Sequence, residues 1–168
     1  MDPSASVPAV VVTVSDRTAS GEREDRSGPA AVEALEAAGH DVARTVVPDG
    51  EESVVEALRA AVEGGARLVV TTGGTGVGPR DRTPEGTREV LDREIPGIAE
   101  LLRSVGRDQT PHAVLTRGLV GVVDATPRTP GGALVVNLPG SPRAVTEGLG
   151  VLLPLVPHLL DQLAGGDH

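Results

Sequence analysis

The chain has no cysteine, no phenylalanine, tyrosine or tryptophan, and one methionine in 168 residues. All fifteen of its basic residues are arginine. Without cysteine there is no disulfide and no thiolate metal site, a composition that fits the cytoplasm. Without lysine there is no Schiff base, no lysine general base and no P-loop lysine. Without aromatic rings the core must be built from Val, Leu, Ala and a little Ile. A bound heterocycle must then be held by backbone hydrogen bonds, arginine planes and aliphatic walls. No apolar run reaches the roughly 18 residues of a membrane span. The start, Met1 to Ser6, has neither the basic region nor the apolar stretch of a signal peptide, so no membrane partner is expected. The formal net charge of −9 argues against free nucleic acid as a partner.

What is present reads as alternating strands and helices. At 168 residues the chain is sized for one domain, 1–168, with about 1–7 and 165–168 expected to fray. Val10 to Val14, Val42 to Val47 and Leu68 to Thr72 are apolar, β-branched strand candidates. Helices are expected from Ser27-Gly28-Pro29 to Gly39, and over Val54 to Val62 before Gly64-Gly65. Such alternation predicts a largely parallel sheet covered by helices, an α/β fold. Thr83-Pro84-Glu85 reads as a helix start with Thr as N-cap, and one or two helices follow, interrupted near Ile95-Pro96-Gly97. Leu119 to Val123 and Ala133 to Leu138 are joined by a turn too short for a helical crossover, which predicts one antiparallel strand. Ser141-Pro142 starts a last helix that Pro154 and Pro157 should kink or divide.

The chemistry-bearing residues fall at strand ends. In parallel sheets ligands sit beyond the carboxyl ends of the strands. Ser15-Asp16-Arg17, Pro48-Asp49-Gly50 and Thr72-Gly73-Gly74-Thr75-Gly76 each occupy such a place, which points to one shared site. The glycine run exposes backbone N–H groups that can wrap an anion. It is not a Walker A loop, and Pro79 spoils a G-x-G-x-x-G pattern. Arg80 and Asp81 follow it. Asp49 before glycine also serves as an ordinary turn residue, and Asp81 as a partner of Arg80. Two carboxylates from neighbouring strand-end loops nevertheless suit Mg²⁺, whose shell is completed by phosphates and water. Leu138-Pro139-Gly140-Ser141 is a second candidate anion site at a helix start. His40, His112, His158 and His168 are scattered without metal-ligand spacing.

Taken in order, these motifs resemble the stand-alone molybdopterin adenylyltransferases of the MogA/MoaB type, which are similar to the G domains of gephyrin and its plant counterpart. The resemblance spans about Val10 to Leu163 and rests on several stretches. They are Val14-Ser15-Asp16-Arg17 with Gly21, Asp25, Ser27 and Gly28; Val47-Pro48-Asp49; Thr72 to Gly76 with Arg80-Asp81 and Thr83-Pro84-Glu85; Arg93 to Gly97; Leu115-Thr116-Arg117; and Asn137 to Pro142. It implies a three-layer α/β/α fold and a homo-oligomer, a trimer or hexamer. The implied activity is transfer of AMP from Mg-ATP to the terminal phosphate of molybdopterin, feeding a molybdate-inserting enzyme in the cytoplasm. By resemblance, Asp49 and Asp81 are the catalytic pair and Mg²⁺ ligands. Ser15, Asp16, Arg17, Thr72 to Gly76, Arg80, Thr116, Arg117, Pro139, Gly140 and Ser141 then bind substrate or nucleotide. Three departures, Thr116 and Gly106 in place of serines and the long 124–131 turn, bear on substrate affinity. A non-catalytic molybdopterin carrier, a molybdate-inserting domain and an unrelated nucleotide-binding regulator remain alternatives at this point.

Overall fold

The central strand β3, Leu68–Thr72, is buried at every residue, and the sheet grows outward from it. The computed structural model describes residues 5–167. On one side of β3 lie β1, Pro8–Val14, and then β2, Asp41–Val47; on the other lie β6, Ala133–Leu138, β5, Val120–Val123, and β4, Arg93–Glu94. β5 runs antiparallel to both its neighbours, and the other pairings are parallel. The expected α/β class and single reversed strand are therefore observed.

Strand side chains alternate between faces, and both faces here are covered. Val11, Leu68, Val70, Leu134 and Val136 point to one core, Val12, Val69 and Val135 to the other. The first core is covered by α2, Ser27–Ala37, α5, Pro96–Arg107, α6, Pro142–Leu152, and α7, Val156–Leu163. The second is covered by α3, Glu51–Glu63, against which α4, Thr83–Val90, packs. A fully buried leucine contributes about 1.5–3 kcal/mol, so leucine and valine substitute adequately for the missing rings.

Three local outcomes differ from the expected pattern. Residues Asp16–Ala19 form a one-turn helix, α1, held by Ser15, whose Oγ accepts the Thr18 N–H at 3.2 Å. β4 has only two exposed residues, and its strand character comes from pairing with β5. Thr83 does not cap α4; its hydroxyl donates instead to the Gly73 carbonyl at 2.9 Å. Ser141 does cap α6, accepting the Ala144 N–H at 3.1 Å, and a 3-10 turn at Leu153–Leu155 divides the last helix. The 22 residues Pro142–Leu163 are long and apolar enough to span a bilayer by composition. Val145, Leu149, Leu152, Val156 and Leu160 nevertheless pack into the sheet, as in a core helix. Of the termini expected to fray, residues 1–4 and 168 lie outside the described residues, while Val7 is buried in the first core.

Candidate active site

The topology fixes where a site forms. From β1 the chain crosses by α2 to β2 on one side, then by α3 to β3 on the other, so the carboxyl ends of β1 and β3 flank a switch point. The glycine-rich loop sits there. Gly73 and Gly74 have φ of +93° and +67°, a region that side chains disfavour. A Cβ on Gly73 would lie 2.4 Å from the Val14 carbonyl oxygen, and one on Gly74 2.2 Å from the Thr83 hydroxyl. Glycine is thus required twice, by conformation and by close approach. The Gly73 N–H donates to Leu138 O at 3.0 Å, and Thr83 N donates to Gly74 O at 3.1 Å. Among the described residues, the N–H groups of Gly74, Thr75 and Gly76 have no acceptor in the protein. Three neighbouring open donors make an anion cradle.

Asp49 and Asp16 clasp each other. The Asp16 N–H donates to Asp49 Oδ2 at 2.9 Å, and the Asp49 N–H donates to Asp16 Oδ1 at 3.1 Å. Asp49 Oδ1 lies toward the cradle, 3.3 Å from where a Gly74 Cβ would be. Burial pushes the Asp49 carboxyl above the usual range, the Asp16 N–H opposes this, and the charges of Asp16 and Asp81 push it further up. Arg80 donates from Nε and Nη2 to the two Asp16 oxygens, both at 3.0 Å, and from Nη2 to the Asp49 carbonyl at 2.8 Å. That fork holds the Asp16 carboxyl below its ordinary value and raises Arg80 above its own. Asp81 Oδ2 accepts the Gly78 N–H at 2.9 Å.

Each member of the carboxylate pair thus has one oxygen engaged by a backbone N–H. Among the described residues no cluster of three or more His, Cys, Asp or Glu could hold a metal. Two hard oxygen donors with an adjacent phosphate cradle still fit Mg²⁺, which takes one or two carboxylates and completes its shell with phosphates and water. The same donors do not fit zinc, which wants nitrogen or sulfur ligands.

Arg117 braces the loop from the other side. Its backbone N–H donates to Thr75 O at 2.8 Å, and its guanidinium to Gly76 O at 2.8 Å and Asp81 O at 3.0 Å. The same guanidinium pairs with Glu85, which holds that carboxyl below its usual value. The Thr116 hydroxyl donates to Thr75 Oγ1 at 2.9 Å.

Next to the cradle a cavity of about 320 Å³ opens between α5, the 3-10 turn Pro111–Leu115 and the start of α6. Ala99, Leu102, Val105, Leu115 and Leu138 make its walls largely aliphatic, with Arg103, Gln109, Thr116, Ser141 and Arg143 as polar points. Gly106 also lines it, with Ala113 Cβ 3.0 Å from where a side chain would start.

The residues expected at the site divide accordingly. Gly73 to Gly76, Asp49, Asp81, Thr116, Pro139, Gly140 and Ser141 converge, Gly140 packing against the Gly73 backbone. Ser15 is a cap, Arg17 is exposed on α1, and Thr72 is fully buried with its hydroxyl 2.8 Å from that of Ser27. Asp16, Arg80 and Arg117 have their charged groups occupied within the protein. Motif reading missed Arg103, Gln109 and Arg143 altogether. Arg103 lies on α5, whose amphipathic pattern reads equally well as core, while Gln109 follows that helix and Arg143 sits in the first turn of α6, neither within a motif.

Residues 10–158 match the family described as a probable molybdopterin binding domain. The chain belongs to that family. Over 151 residues this molybdopterin-binding domain is 41% identical to a molybdopterin adenylyltransferase of Pyrococcus furiosus, covering 89% of this chain and 87% of that protein. It is 43% identical to the molybdenum cofactor biosynthesis bifunctional protein of Synechococcus elongatus, covering 98% of this chain and 50% of the relative, so it spans half that protein's length. The solved structure of the molybdopterin biosynthesis Mog protein from Mycobacterium ulcerans superposes with a TM-score of 0.84 at 44% identity, covering 96% of this chain and 99% of that one.

Proposed function

We propose that this domain is a molybdopterin adenylyltransferase. An oxygen of the terminal molybdopterin phosphate attacks the α-phosphorus of ATP. The bond from that phosphorus to the β-phosphate bridge breaks, and pyrophosphate leaves. The observation that carries this reading is the convergence at one switch point of Asp49, Asp81 and three open N–H donors, beside a cavity of about 320 Å³. Nucleotidyl transfer of this kind depends on alignment and charge neutralisation more than on a protein nucleophile. The cradle of Gly74, Thr75 and Gly76 orients a phosphate through backbone donors. The aliphatic cavity holds the pterin end without aromatic stacking; Ser141 offers its hydroxyl to it, and Thr116 lines it with its own hydroxyl donating to Thr75. Asp49 and Asp81 would hold Mg²⁺, whose charge offsets that of the triphosphate.

We infer further that the domain works as a homo-oligomer, a trimer or a trimer-based hexamer, in the cytoplasm, and passes its product to a molybdate-inserting enzyme. Val77 and Val114, exposed large apolar side chains, support a subunit contact. The test of function is pyrophosphate release from Mg-ATP with and without molybdopterin, in the natural chain and in Asp81→Asn. Molybdopterin-dependent release that Asp81→Asn loses is expected. Molybdopterin binding without release would make the domain a carrier.

A further inference from the structure

The Asp16–Arg80 pair has the features of an alignment device. Its side chains are 43% and 63% exposed, so as a surface ion pair it adds little to folding. Its geometry is nevertheless specific. The Arg80 fork takes both Asp16 oxygens, and the same Nη2 also reaches the Asp49 carbonyl. One guanidinium therefore ties together the loops that follow β1, β2 and β3. Asp16 in turn closes the reciprocal clasp on Asp49. The next residue after Arg80 is Asp81, in a turn closed twice on Gly78: Asp81 N donates to Gly78 O at 3.1 Å, and Asp81 Oδ2 accepts Gly78 N.

We propose that the Asp16–Arg80 pair positions Asp49 and Asp81 relative to each other across the switch point, and that Arg80 is not a phosphate ligand. In this role Asp16 and Arg80 are positioning residues, acting through the carboxylates they hold. The orientation matters because Asp49 Oδ2 is held by the Asp16 N–H, which leaves Oδ1 aimed at the cradle. A rotation of the Asp49 turn would exchange the two. Misplacement of a reacting constellation by about 1 Å costs on the order of 100-fold in rate. A phosphate-binding arginine would instead present its Nε–Nη2 edge to substrate, and here that edge is taken by Asp16 and the Asp49 carbonyl, leaving Nη1 alone without a bond among the described residues.

The inference rests on the proposed adenylyl transfer for its kinetic arm but not for its structural one. The variants are Asp16→Asn, Arg80→Ala and the double variant, each checked for an unchanged far-ultraviolet circular dichroism spectrum. In pyrophosphate release, each single variant should lose about 30–100-fold in kcat while the KM for Mg-ATP moves less than about threefold. The double variant should be no worse than the worse single, because both substitutions break one device. A KM that rises about tenfold or more in Arg80→Ala at preserved kcat, or single effects that multiply, would overturn the proposal. Amide hydrogen exchange at Asp16 and Asp49 reads the clasp without turnover, and Arg80→Ala should speed both amides at least about tenfold. If the natural chain releases no pyrophosphate, the adenylyl-transfer reading fails and exchange alone decides. Faster exchange upholds the positioning role, and unchanged exchange refutes it.

Discussion

Asn137→Ala tests whether the polar knot beneath the site holds the two halves of the sheet together. Asn137 sits near the end of β6 and is 3% exposed. Its Nδ2 donates to Thr71 Oγ1 and to Thr87 Oγ1, both at 2.9 Å, and its Oδ1 accepts the Leu119 N–H at 3.0 Å. One side chain therefore joins β3, α4, β6 and the segment leading into β5. A net contribution of about 1 kcal/mol per hydrogen bond gives about 3 kcal/mol for the three. For a domain of this size each kcal/mol moves Tm by about 2–4 °C, so Tm should fall by about 6–12 °C. With no tryptophan or tyrosine to report, unfolding is followed by far-ultraviolet circular dichroism in urea and on heating. A loss under about 1 kcal/mol would mean that water replaces the side chain freely, and that the knot does not tie these elements.

Gly74→Ala places a methyl 2.2 Å from the Thr83 hydroxyl at a φ of +67°, which adds about 1–2 kcal/mol of backbone cost to the clash. Pyrophosphate release should drop by about 100-fold in a still folded protein, and near-normal release would dismiss the cradle. The Arg117 guanidinium holds the Glu85 carboxyl below its ordinary value of 4.5. A depressed carboxyl stabilises the fold fully above its unfolded value and loses that contribution as pH falls through the folded one. Glu85→Gln should therefore lower Tm at neutral pH, with the deficit shrinking as pH drops below about 4.5. A deficit that grows toward acid pH would contradict the pairing.

The sequence exposes what local chemistry determines and hides what distant partners decide. β3 and β6 were readable to the residue because each is led by an apolar run and is buried throughout. The cap of α6 was readable because Ser141-Pro142 carries its own geometry. β4 was not, since Arg93 and Glu94 become a strand only through β5. Thr83 looked like a cap, yet the carbonyl of Gly73, ten residues earlier, takes its hydroxyl. Arg80 was read as a substrate-binding residue or as a partner of Asp81, and Arg117 as a substrate-binding residue. Asp16, 64 residues from Arg80, and Glu85, 32 residues from Arg117, claim them in the fold, and no spacing rule reports that. The cavity was invisible because aliphatic walls on α5 carry no motif, whereas Asp49, Asp81 and the glycines stood out by lying at strand ends.

The most direct test is molybdopterin-dependent pyrophosphate release from Mg-ATP, compared between the natural chain and Asp81→Asn. Asp81→Asn keeps an oxygen that can accept the Gly78 N–H, so the turn should persist while the second carboxylate charge is lost. Release should require molybdopterin and fall by at least about 100-fold in Asp81→Asn, with the fold unchanged. Release that is equal in both proteins, or equal without molybdopterin, would contradict the proposed adenylyl transfer.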